Sequence, residues 1–165
     1  MSNLGTYRVG PGVTTDLDLF RSRVAYARSQ PTDVALPILQ GALDLVTGPV
    51  FSYRRTDQSS FSWIDLEHWI SDTEALVVEV AWQTWEMCHE VGDTAGALHA
   101  ARQGLLGSPA NTALTEALMK SYAESGDHHA AESVFISHAR ALDHLGLGDP
   151  DRSTVDLRDQ LLADP

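Results

Sequence analysis

Cys88 is the chain's only cysteine. No disulfide can form within the chain, which fits a reducing, cytosolic setting. Basic residues are scarce as well: 11 Lys+Arg face 23 Asp+Glu, a formal charge of −12. A phosphate backbone calls for a basic stripe, so direct contact with nucleic acid is not expected of this chain. The same deficit disfavours an anionic membrane surface. Long apolar runs are missing too; even residues 75–82 are interrupted by Glu79, which excludes a membrane-spanning helix. The opening Met1-Ser2-Asn3-Leu4-Gly5 lacks the basic-then-apolar order of a signal segment. Neither a Walker loop nor a dinucleotide glycine pattern occurs, and no serine stands in a nucleophile elbow.

What the chain does have is a repeat. Glu90-Val91-Gly92-Asp93 recurs 34 residues later as Glu124-Ser125-Gly126-Asp127, with Ala97 and Ala131 at the same offset behind. That period is the length of one tetratricopeptide unit, two helices joined by a tight turn. Gly92 and Gly126 can take the left-handed conformation that ends a helix. Asp93 and Asp127 can then accept from free N–H groups of the next helix. Residues 74–145 therefore read as two helical hairpins, and 43% apolar content over 165 residues supports a core.

The other elements follow from periodicity and punctuation. Residues 1–15 are turn-rich and read as a linker or the end of a preceding domain; 16–165 read as one helical domain. Asp16 is placed to cap a helix over 17–29 carrying Leu17, Phe20, Val24 and Ala27 on one face. A second helix, 34–47, tolerates Pro37 in its first turn. Residues 48–62 form a loop, either functional or held down by Phe51, Tyr53 and Phe61. The longest helix, 64–91, bears one continuous apolar stripe from Leu66 to Cys88. Helices over 94–106, 109–125 (capped by Ser108 and opened by Pro109), 128–145 and from Ser153 to Leu162 complete an all-α stack of about seven antiparallel helices.

Candidate chemistry is thin. The histidines do not fall at metal-ligand spacing: His128 and His129 are adjacent, and His138 and His144 are six apart. They read as surface or half-buried groups, not as ligands. Cys88 reads as a core thiol. Glu74, Glu79, Glu86 and Glu90 read as a solvated acidic face, and Arg54-Arg55 as a solvated loop tip. No catalytic residue, metal site or cofactor is expected.

Taken in order, Ala42-Leu43-Asp44-Leu45 with Gly48-Pro49, Trp63 with Glu67, Gly92-Asp93 with Ala97, Pro109, Leu118-Met119 with Tyr122, Gly126, Ala131, and Leu145-Gly146 with Asp149-Pro150 resemble the bacterial transcriptional activator domain. That family is a tetratricopeptide-like helical module found after a winged-helix DNA-binding domain in actinobacterial regulators of the antibiotic regulatory protein type. Tyr7-Arg8-Val9, Asp16 and Phe20 resemble the junction with that preceding domain, and Tyr7-Arg8-Val9 followed by Thr15-Asp16-Leu17-Asp18 also resembles a subgroup in which this domain closes a larger LysM-containing protein. The resemblance spans about residues 6–163 and implies a non-catalytic, cytoplasmic regulatory module. Its partner would be another domain of the regulator, another protomer (a possible homodimer) or a transcription partner, with DNA held elsewhere. Rival readings are an adaptor in an envelope-associated protein and, last, an enzyme.

In tetratricopeptide stacks the first helix of each unit lines a concave groove. Counted from the Gly-Asp anchors, those slots hold Glu79, Trp82, Glu86 and His89, then Glu116 and Lys120. Trp82 fits either this groove or the core. The slot where the family of repeats favours a small residue holds Trp85 and then Met119. That predicts hairpins packed wider apart, or crossing at a shifted register.

Overall fold

A computed structural model describes residues 12–50 and 68–163. Expectations for residues 1–11, for the loop over 51–62 with Arg54-Arg55, and for Trp63 to Glu67 lie outside the described residues. Seven α-helices and no strand occur among the described residues: α1 Asp16–Ala27, α2 Thr32–Leu43, α3 Trp69–Val91, α4 Thr94–Gly107, α5 Thr112–Glu124, α6 His128–Leu145 and α7 Arg152–Ala163. The fold is all-α, as the sequence predicts.

The two anchors behave alike. Gly92 and Gly126 take positive φ, +74° and +79°, the region where a Cβ would strain the chain. The N–H of Asp93 closes α3 on the Cys88 carbonyl at 2.8 Å, and that of Asp127 closes α5 on Tyr122 at 2.9 Å. The side chains of the same aspartates then open the next helices, accepting from the N–H of Gly96 and Ala130. One residue thus ends one helix and begins another, which keeps each hairpin tight.

Other helix starts differ from expectation. Thr15, not Asp16, caps α1, because Thr15 and Asp18 satisfy each other's backbone in a capping box. Asn111, not Ser108, caps α5: its side chain accepts from Leu114 N–H at 3.0 Å, and residues 108–111 are a turn. Pro37 lies in the second turn of α2, since that helix begins at Thr32; the Asp33 carbonyl loses its helical donor there.

The helices pair as α1 with α2, α3 with α4 and α5 with α6, and each hairpin packs on the next; α7 covers α5 and α6. The contact of α3 with α4 is the most extensive. A Cβ built on Gly104 would lie 2.5 Å from that of Ala81, so these helices cross at Ala81 and not at Trp85. One repeat later the same two positions hold Thr115 and His138, whose side chains meet at 3.2 Å. The register is therefore shifted by one turn, and α3 and α4 are not held apart. Phe20, Leu39, Leu43, Val80 and Leu114 belong to a first core spanning α1–α5, and Met119, Ala131 and Phe135 to a second under α7.

Candidate interaction face

Displacing the crossing to Ala81 turns Trp85 out of the α3–α4 interface. Its indole Nε1 instead donates to the Ser121 hydroxyl on α5 at 3.0 Å. The Trp85 ring lies 5.1 Å from that of Trp82 and 4.4 Å, edge-on, from that of His89. His89 in turn faces the Glu124 carboxylate at 3.6 Å. A continuous aromatic array thus runs along α3 and is pinned at its side to α5.

Glu79, Trp82, Glu86 and His89 fall on one face of α3, as spacings of three and four dictate. Trp82 is half-buried and packs against the first core while leaving part of its ring exposed. Its buried part belongs to the core. Glu79 pairs with Arg28, reaching across from the end of α1, at 2.8 Å. Both side chains are more than half exposed, so the pair adds little stability. Glu86 is exposed and has no hydrogen-bond or ion-pair partner among the described residues.

Glu116 and Lys120 do not join this array. The Glu116 carboxylate accepts from the buried Thr154 hydroxyl of α7 at 2.9 Å. Lys120 borders a recess of about 300 Å3 with Glu124, His128 and Gln160. Both residues therefore face α7, the helix next in the stack. Sequence reasoning missed Trp85, Ser121 and Glu124 as members of the face. The near-repeat spacing of Trp85 and Ser121 was the available signal, since first helices of successive hairpins lie side by side.

The reactive side chains are placed for packing. Cys88 is buried, and burial with the nearby Asp93 carboxylate pushes its thiol up to about 11, the wrong direction for a nucleophile. His138 corrects the expectation of surface or half-buried histidines: it is only 2% exposed. No three His, Cys, Asp or Glu side chains gather in metal-binding range among the described residues. A second recess, about 480 Å3, lies between α1 and α3, and Asp16 is its one titratable lining residue among those described. No helix among the described residues is long and apolar enough to cross a membrane.

The family model of the bacterial transcriptional activator domain matches residues 15–162. No curated protein and no solved structure matches the chain.

Proposed function

The chain belongs to the bacterial transcriptional activator domain family, a regulatory and not an enzymatic family, and from that footing we propose that it is the non-catalytic protein-interaction module of a transcription regulator. DNA is bound outside this chain, and the module contacts another domain of the regulator, another protomer or a transcription partner in the cytoplasm. The observation that carries this reading is the aromatic face of α3, where Trp82 stays partly exposed although it stacks on Trp85. Aromatic side chains set in a rigid helix surface are what interaction hot spots are made of. The charge of −12 supports the division of labour, because phosphate contact would meet repulsion.

Two measurements test it. The isolated chain should fail to retard promoter DNA, and sequence-selective retardation would reject DNA binding elsewhere. In the full-length regulator, Trp82→Ala should lower transcription from a target promoter roughly tenfold, the loss of one interface contact of about 1.4 kcal/mol. Unchanged helicity by circular dichroism separates that loss from misfolding. Wild-type transcription by a folded Trp82→Ala regulator would remove the face.

A further inference from the structure

We infer that the α3 face takes an arginine-bearing segment of its partner, with Glu86 and the exposed part of Trp82 as the groups that receive the guanidinium. The inference rests on the interaction reading above and adds the partner's chemistry.

The fold itself shows what such groups hold. Glu79, at one end of the face, already binds the guanidinium of Arg28 at 2.8 Å, delivered from a different helix. Elsewhere the chain joins helices by laying arginine on an aromatic ring. Arg102 of α4 stands 5.1 Å from the centre of Tyr122 and donates through Nε to its hydroxyl at 2.8 Å. Arg158 of α7 stands 4.6 Å from the centre of Phe135. Trp82 and Glu86, one helical turn apart, offer a ring and a carboxylate together. No cation among the described residues takes either of them.

Charge selects the same occupant. The face carries Glu79 and Glu86 beside Trp82, with Glu124 beyond His89, on a chain of formal charge −12. An anionic segment is repelled, and a purely apolar one leaves Glu86 desolvated without a partner. A cation gains from both groups. Arginine is favoured over lysine because its planar fork can pair with a carboxylate while its face stacks on indole.

The test is calorimetric titration of the whole chain with synthetic peptides of alternating arginine and alanine, and with their glutamine and lysine counterparts. The arginine peptide should bind about tenfold more tightly than the glutamine peptide and several-fold more tightly than the lysine peptide, with affinity falling as salt is raised. Glu86→Gln should weaken it about fivefold, whereas Glu132→Gln, an exposed carboxylate on α6, should leave it unchanged. Equal loss from both variants would mean diffuse attraction and overturn the site. Equal binding of arginine and glutamine peptides, abolished by Trp82→Ala, would overturn the arginine partner and keep the interaction face. Arginine-peptide binding indifferent to folded Trp82→Ala would overturn the site and count against the face as well.

Discussion

Ala81 and Gly104 decide how closely the central hairpin shuts. A Cβ at position 104 would meet the Ala81 Cβ and Leu114 Cδ1, each at 2.5 Å. The first of these atoms sits next to backbone and has no rotamer in which to retreat. Overpacking of this kind costs about 1–3 kcal/mol, and the better helix propensity of alanine returns about 1 kcal/mol. Gly104→Ala should therefore lose up to about 2 kcal/mol on balance, read as a lower urea midpoint at unchanged slope. Gly41 is the internal control, because only the end of Arg23 comes within 4 Å of its Cβ position, at 3.7 Å. Gly41→Ala should hold or raise the midpoint. A raised midpoint in Gly104→Ala would show that the helices part without cost.

At the equivalent crossing of the next hairpin, an ionisable ring replaces the glycine and ties several elements together. The Thr115 hydroxyl donates to the Asn111 carbonyl at 2.8 Å, so its single proton is committed. His138 Nδ1, 3.2 Å away, must then be the donor to Thr115 Oγ1. Nε2 is left as a bare, buried acceptor without a hydrogen-bond partner. Burial lowers the pKa of His138 below 6.5, against the opposing pull of Asp151, the Pro109 carbonyl and Glu116. An unfolded chain takes up this proton near the ordinary value, whereas the folded one resists it. The contribution of His138 is therefore fully present above about pH 6.5 and is lost as pH falls below it. The drop in urea midpoint between about pH 7.5 and 5.5 should be smaller in His138→Leu than in the wild type, since Thr115 keeps its Asn111 carbonyl. Equal drops would acquit the ring. This junction also shows where sequence reasoning stops. Gly92-Asp93 and Gly126-Asp127 were readable because a helix end and the next cap are settled by neighbouring residues. Thr15 and Asn111 escape a sequence reading because each competes with a nearby candidate, Asp16 one residue away and Ser108 three residues away. The places of Trp85 and His138 depend on the turn at which two helices cross, set by packing of Ala81 on Gly104 in one hairpin and of Thr115 on His138 in the next. Glu79, Trp82, Glu86 and His89 share a face by helix geometry alone, whereas the turning of Glu116 and Lys120 toward α7 is a tertiary outcome.

Across the whole molecule the stack has two cores that meet at α5, with Leu114 in the first and Met119 in the second. In such stacks each hairpin draws its stability from its neighbours. The second core depends on α7, which supplies Val155, Leu157 and Leu161 against Met119, Ala131 and Phe135. A fully buried side chain of this size contributes about 1.5–3 kcal/mol; these three are partly buried, so their joint loss is several kcal/mol. That is a large share of the roughly 5–15 kcal/mol that holds a domain together. Removing α7 by ending the chain at Asp151 also takes Thr154 from Glu116 and Arg158 from Phe135. The first core keeps its packing partners, and Trp82 and Trp85 pack against it. The shortened chain should therefore melt in two steps. Far-UV circular dichroism falls first as α6 frays, and tryptophan fluorescence follows at a higher temperature, departing from the coincidence that marks a two-state transition. Coincident curves would mean that α5 couples the two cores too strongly for either to unfold alone.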